Sequence, residues 1–301
     1  MTYLTDDAHG KAWRFMLGDS CERLTELPDH SIDLSVYSPP FKDLYVYSPS
    51  VRDLGNCASP AEFFEHYAFI IREVLRLTKP GRLTCVHVSQ VPLMKSRDGY
   101  IGLTDFRGEV IAAYQREGWI FWGEATVDKD PQAQAIRTKS QQLMFVSKNK
   151  DSTLVRPALA DYLLMFKAPG DNAMPVATDV TNDEWIEWAR PVWLGIRESE
   201  TLQAAPGRED DDERHLAPLQ LAFIERVVRL YSNRGETVLS PFGGIGSELY
   251  VAVKNGRRAI GCELKPSYWQ VGVQNLRDLD REMAIPTLLD AITLPDEDGA
   301  A

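Results

Sequence analysis

Hydrophobic positions fall into short runs and helical stripes that alternate along most of the chain. Ile32-Asp33-Leu34-Ser35-Val36-Tyr37 is an apolar-rich run stopped by a Ser-Pro-Pro breaker, which reads as a buried strand entering a loop. Pro60-Ala61-Glu62 opens a helix. Its Phe63, Phe64, Tyr67, Ile70, Ile71, Val74 and Leu75 recur at a spacing of ~3.6 residues, and Lys79-Pro80-Gly81 stops it. A strand over 82–88, a helix over 106–117 and a strand over 119–127 follow. Further on, the pattern predicts a helix over 216–231 with Pro218 in its first turn, a strand over 236–240, a helix over 247–255, a strand over 258–263 and a helix over 267–282. Such alternation predicts an α/β fold, with a mainly parallel sheet joined by crossover helices.

The alternation breaks over 128–214. That stretch holds two strand patterns, 142–147 and 162–166, with Pro and Gly punctuation and tryptophans at Trp185, Trp188 and Trp193. It reads as an insertion on the sheet of a single domain spanning 1–301, with the tryptophans packing it. The acid run Glu209-Asp210-Asp211-Asp212-Glu213 reads as a solvated loop.

Composition adds bounds. At 301 residues and 44% hydrophobic, the chain can bury a sizeable core. No run approaches the ~18–20 apolar residues of a membrane span, and the polar, acidic N-terminus does not read as a secretory signal. Cys21, Cys57, Cys85 and Cys262 form no Cys-x-x-Cys pair and read as reduced thiols of a cytoplasmic protein; no metal site is expected. The net charge of −11 argues against a nucleic-acid partner until its distribution is considered. Between Arg72 and Lys167 there are 15 Lys and Arg against 10 Asp and Glu, a basic centre with acidic flanks. A local phosphate-binding face is compatible with that distribution.

Two segments carry chemistry. Val238-Leu239-Ser240-Pro241-Phe242-Gly243-Gly244-Ile245-Gly246-Ser247 joins a strand to a helix through a glycine-rich turn that lets a ligand approach the backbone. The next strand ends in Glu263, 20 residues after Gly243, where a carboxylate can accept from both hydroxyls of a ribose. A nucleoside cofactor follows from the pair. No glycine stands three places beyond Gly246, as a dinucleotide site would require, and there is no Gly-Lys-Ser/Thr of a P-loop. The second segment, Ser38-Pro39-Pro40-Phe41, is by itself only a rigid turn after a strand.

Together these segments resemble the DNA amino-methyltransferases. Ser240 to Ser247 looks like their S-adenosylmethionine (AdoMet) motif, with Ser240 where Asp is common. Ser38-Pro39-Pro40-Phe41 looks like their Asp/Asn/Ser-Pro-Pro-Tyr/Phe catalytic signature. Arg214-His215-Leu216-Ala217-Pro218 resembles the element that seats the methionine end, and Gly18-Asp19-Ser20 an element bordering the adenine. The catalytic motif precedes the cofactor motif by about 200 residues, the beta order of that family, and the resemblance runs from Phe15 to Leu279.

The resemblance implies a Rossmann-like AdoMet-dependent methyltransferase sheet, with 128–214 as the target-recognition insertion. It implies Asp19, His215, Ser240, Pro241, Phe242, Gly243, Gly244, Gly246, Ser247 and Glu263 around AdoMet, and Ser38, Pro39, Pro40 and Phe41 around a flipped DNA base. An exocyclic amine conjugated to its ring is a poor nucleophile. Acceptors on its N–H bonds, from the Ser38 side chain and the Pro39 carbonyl, favour the tetrahedral nitrogen that attacks the methyl group. Phe41 would stack on the base.

Cytosine C5 chemistry needs a Cys nucleophile in a Pro-Cys setting, and no cysteine here follows a proline. Ser38 with Phe41 favours cytosine N4 over adenine N6. Lys129, Arg137, Lys139, Lys148 and Lys150 are candidates for phosphate contacts, and Gln141 and Gln142 for base edges. Two other classes stay open: a silent DNA-binding module retaining the fold, which the altered Ser240 motivates, and a nicotinamide-dependent oxidoreductase. Many such methyltransferases work within restriction–modification systems and many are homodimers; no sequence feature bears on either here.

Overall fold

The computed structural model describes residues 4–40, 54, 57, 59–93, 95–131, 149–154, 157–203 and 218–285. Among them, a nine-stranded sheet is built from β1 (Asp6–His9), β2 (Trp13–Leu17), β3 (Ile32–Tyr37), β4 (Thr78–Ser89), β7 (Ile120–Val127), β8 (Asp161–Lys167), β9 (Val192–Trp193), β10 (Thr237–Ser240) and β11 (Arg258–Glu263). Its order is β1-β2-β11-β10-β3-β4-β8-β7-β9. The run β2-β11-β10-β3-β4 is parallel throughout, whereas β8 is antiparallel to both neighbours and β1 to β2. A separate two-stranded hairpin, β5 (Val91–Leu93) with β6 (Gly102–Thr104), follows β4.

Side-chain alternation along the strands divides the core into two layers. Phe15, Leu34, Val36, Leu163 and Val238 face one side; Met16, Tyr37, Val86, Leu164 and Leu239 face the other. Helices α1 (Ser20–Arg23), α2 (Pro60–Leu77), α3 (Phe106–Arg116), α4 (Asn182–Trp188), α5 (Leu221–Tyr231), α6 (Ser247–Lys254) and α7 (Pro266–Ala284) connect the strands. Helices α2 and α3 cover the second layer, through Phe63, Tyr67, Ile70, Val110 and Tyr114. Helices α5, α6 and α7 cover the first, through Phe223, Val227, Leu249, Val273 and Leu276. The stripe that predicts α2 is the stripe it buries, and Ser59 caps its first turn by accepting from Glu62 N.

The fold is the expected α/β one, with local differences. The strand expected at 162–166 lies inside the main sheet, hydrogen-bonded between β4 and β7, so residues 161–167 are sheet core and the stretch 128–214 is not wholly an insertion. The strand pattern at 142–147 lies outside the described residues. Helix α5 starts at Leu221: Gln220 is extended, with ψ of 133°, so Pro218 precedes the helix instead of sitting in its first turn. Trp193 is fully buried and Trp188 packs against the same core, but Trp185, expected to pack with them, is exposed. The Arg226 and Arg229 guanidiniums lie over the Trp188 ring, at 5.6 and 5.1 Å. Among the described residues no helix is long and apolar enough to cross a membrane.

Candidate active site

Parallel strands point their C-terminal ends to one edge of the sheet, and the two chemistry-bearing loops leave from neighbours there. β10 feeds the glycine loop and β3 feeds Ser38, and the two strands pair directly, Leu239 beside Ser35. From β10 the chain crosses to β11 on one side, and from β3 to β4 on the other. The junction between them is the topological switch point, where open α/β sheets bind ligands. Segments about 200 residues apart in sequence therefore share one crevice mouth.

The glycine loop is held from several directions. Gly246 precedes α6 with φ of +84°, a left-handed turn that an L side chain resists. Gly243 N donates to Cys262 O at 2.7 Å, and Gly246 N to Gly243 O at 2.7 Å. A Cβ on Gly243 would stand 2.5 Å from the Phe15 ring, so that glycine lets the loop lie on the core. Phe242 turns its ring toward Tyr37 and Tyr67, at centroid distances of 5.8 and 6.2 Å, and buttresses the loop. Asp19 caps α1 by accepting from Cys21 N at 2.9 Å, and the adjacent Ser20 hydroxyl donates to the Pro241 carbonyl. The Asp19 turn is thereby brought against the loop. Gly18 N also donates to Glu263 O at 2.8 Å.

Glu263 closes the crevice at the end of β11. One carboxylate oxygen accepts from Gly244 N at 2.7 Å and the other from Lys265 N at 2.8 Å. Two further polar groups stand out: the Ser240 and Ser247 hydroxyls are buried and have no hydrogen-bond partner among the described residues. Buried polar atoms are normally paired, and an orphan at a glycine-rich turn calls for a polar ligand. Orphaned hydroxyls, the Glu263 carboxylate bonded to the loop at Gly244 N and a loop without phosphate-binding lysine fit a nucleoside carrying an amino acid better than a dinucleotide.

At the second loop, Ser38 is half-buried, Pro39 is buried, and the Ser38 hydroxyl lies 3.1 Å from His87 Nδ1 and 3.3 Å from His87 O on β4. His87 Nε2 stands 3.0 Å from Asp161 Oδ2, and Lys129 Nζ stands 2.7 Å from the same oxygen. Burial alone would raise the Asp161 carboxyl; the positive field and hydrogen bonds of His87 and Lys129 outweigh it and hold the group well below the usual carboxylate range. Glu198 stands 3.8 Å from Lys129 Nζ, and the Phe223 ring meets the His87 ring edge-on at 5.1 Å.

Lys129 is thus buried in an ion pair and not presented to phosphates, whereas Lys150 is exposed. Local sequence patterns did not reveal His87 and Asp161, which the structure links to Ser38 in this candidate site. Phe41 and His215, like Arg137, Lys139, Gln141, Gln142 and Lys148, lie outside the described residues.

The chain belongs to the DNA methylase family of N6 and N4 methyltransferases, whose family profile matches residues 32–274. It is 29% identical over 117 residues to the type II methyltransferase M.BglI of Bacillus subtilis and 23% identical over 206 residues to M.MjaI of Methanocaldococcus jannaschii. These matches cover 38% and 65% of this chain, but only 30% and 61% of those relatives' own lengths. The fold is shared with the Thermus thermophilus protein TTHA0409 solved with S-adenosyl-L-methionine, at 22% identity and a TM-score of 0.64 over 87% of this chain and 94% of that one. It is shared as well with the cytosine-N4-specific PvuII DNA methyltransferase, at 19% identity and a TM-score of 0.64 over 94% and 96%.

Proposed function

We propose that the protein transfers the methyl group of AdoMet to an exocyclic amine of a flipped DNA base, and that the base is cytosine, methylated at N4. The observation that carries this reading is the adjacency of Ser38 and the glycine loop at the ends of paired strands β3 and β10. That adjacency puts an amine-accepting hydroxyl beside the glycine loop proposed to hold the nucleoside.

When bound, AdoMet supplies an electrophilic methyl group on a sulfonium. Glu263 would hold its ribose, the Asp19 turn would border its adenine, and Ser240, Ser247 and the Gly243–Gly246 backbone would receive its amino-acid end. His215 belongs to the same proposal. Pro39 and Pro40 fix the loop so that the Ser38 hydroxyl and the Pro39 carbonyl can accept from the amine, with Phe41 stacked on the ring. The base is taken out of the duplex because its amine is otherwise within the stack. The part of 128–214 outside the sheet is proposed to read the target sequence.

The choice of base rests on Ser38. The PvuII enzyme is described as cytosine-N4-specific, whereas the Escherichia coli relative YhdJ, 34% identical over 67 residues, is described as a DNA adenine methyltransferase.

Nucleoside mass spectrometry of DNA incubated with protein and AdoMet tests both levels. N4-methylcytosine is expected. N6-methyladenine alone would overturn the base and keep the class; no methylated nucleoside on duplex or single strand would overturn the class. Phe41→Ala should cut turnover strongly while AdoMet binding survives.

A further inference from the structure

We infer that His87, held by Asp161 and Lys129, orients the Ser38 hydroxyl and takes up the proton that the target amine sheds, with Ser38 passing it on. The inference rests on the reading that the amine is presented at Ser38.

The geometry sets the direction of each hydrogen. Asp161 is an ionised acceptor within 3.0 Å of Nε2, so Nε2 carries a hydrogen and donates. In a neutral imidazole the other nitrogen then offers a lone pair. That lone pair lies 3.1 Å from Ser38 Oγ, so the hydroxyl donates to it. With its one hydrogen engaged, Oγ keeps its own lone pairs for the amine N–H. A serine hydroxyl free to rotate could equally donate toward the amine nitrogen and occupy the electrons needed for attack. His87 removes that orientation.

The same contacts accept the proton released. As the nitrogen bonds to the methyl carbon, the carbon–sulfur electron pair stays with sulfur and the nitrogen must lose one proton. That proton moves to Ser38 Oγ while the Ser38 hydrogen moves to His87 Nδ1, giving an imidazolium. Nδ1–H now donates to Oγ. The hydrogen received by Ser38 has an acceptor too, the His87 carbonyl at 3.3 Å. The two contacts of Ser38 thus serve the states before and after transfer. Asp161 faces the imidazolium and balances its charge, and Lys129 in turn keeps Asp161 ionised and fixed from the other side. The Phe223 ring edge limits rotation of the imidazole. His87 is a positioning residue that acts through Ser38, and its role should vanish when Ser38 is gone.

The test is a double-mutant cycle on single-turnover methyl transfer, with AdoMet affinity measured alongside. His87→Asn in the wild-type background should slow transfer about 100-fold, the scale of a lost acid–base partner, and shift the AdoMet Kd by less than about 3-fold. In a Ser38→Ala background the same substitution should change the rate by less than about 3-fold. Equal losses in both backgrounds would mean that His87 supports the fold and not Ser38, which overturns the inference and leaves the methyltransferase reading standing. A wild-type protein that methylates no DNA overturns both.

A measurement on the unmutated protein covers variants that fail to fold. Nitrogen-15 spectra of the five histidines should show the neutral His87 imidazole as the tautomer with hydrogen on Nε2 and none on Nδ1. A neutral imidazole with its hydrogen on Nδ1 would leave Ser38 only the His87 carbonyl as an acceptor and no basic nitrogen to take up the proton, which overturns the inference.

Discussion

The Glu263 carboxylate accepts the amide hydrogen of Gly244 at 2.7 Å, so the acid expected to hold a ribose also anchors the glycine loop from the end of the neighbouring strand. Its second oxygen accepts from Lys265 N, which sets the entry into α7. Charge-assisted bonds of this kind contribute ~1.5–3 kcal/mol each. Glu263→Ala should weaken AdoMet binding by roughly 10–100-fold in calorimetry and lower the stability of the ligand-free protein. Glu263→Gln should do less to stability, because its carbonyl oxygen can keep one of the two backbone bonds. Unchanged AdoMet affinity in both variants would leave Glu263 as a loop anchor alone.

Two glycines of the loop should fail for different reasons. At Gly246 the obstacle is the backbone, with φ of +84°, and Gly246→Ala should cost ~1–2 kcal/mol. At Gly243 the obstacle is the core: a Cβ would stand 2.5 Å from the ring of fully buried Phe15 and 3.2 Å from Cys262 O, and overpacking of this kind costs ~1–3 kcal/mol. Asn tolerates the left-handed region, so Gly246→Asn should recover part of the loss in urea unfolding, whereas Gly243→Asn should be worse than Gly243→Ala. The opposite order would overturn this assignment of strain.

How much of this was legible in the sequence depends on how local the signal is. The glycine turn, the Pro-Pro loop and the acid ending β11 each announce themselves within a few residues, and the strand–helix alternation around them gives the parallel half of the sheet. Helix α2 is readable because its buried stripe is periodic. β8 reads as a strand, but nothing within it says that it slips antiparallel between β4 and β7; that follows from pairing with residues about 40 and 80 positions away. His87 is hidden for the same reason. In Val86-His87-Val88 it looks like a polar interruption of a strand, and its partners Ser38 and Asp161 lie 49 and 74 residues away. Lys129 reads as a phosphate contact because sequence shows its charge and not its burial.

Asp33 ties together the strands that carry both loops. It is buried on β3, accepts from Thr237 N on β10 at 2.9 Å and pairs with Lys79 Nζ at the start of β4. Asp33→Ala would leave a buried backbone N–H unpaired and the lysine without its partner. Lys79 is partly exposed, so the loss should stay below that of a fully buried pair, at about 2–3 kcal/mol. Asp33→Asn can still accept from Thr237 N and should cost roughly half as much. Urea midpoints of the two variants check the order; equal losses would place the stabilisation in the charge and not in the strand-bridging bond.

Glu248 gives the stability a pH dependence of definite sign. It lies buried in the first turn of α6, where burial above all, and then the negative charge of Glu263, push its carboxyl from the ordinary 4.5 up to about 8. The folded protein therefore holds this proton more tightly than the unfolded chain does. Between pH 4.5 and about 8 unfolding releases it, so this group's contribution is fully present at the acid end and declines as pH rises through the window. The slope is at most ~1.4 kcal/mol per pH unit, and it vanishes above the folded value. Glu248→Gln removes the titration while keeping the shape. The Tm of the variant should match that of the wild type near pH 5, rise above it progressively toward pH 8, and then run parallel. Because Glu263 is one cause of the shift, placing Glu248→Gln in a Glu263→Gln background should narrow the divergence; curves that stay parallel from pH 5 to pH 8 would mean that Glu248 is ionised throughout.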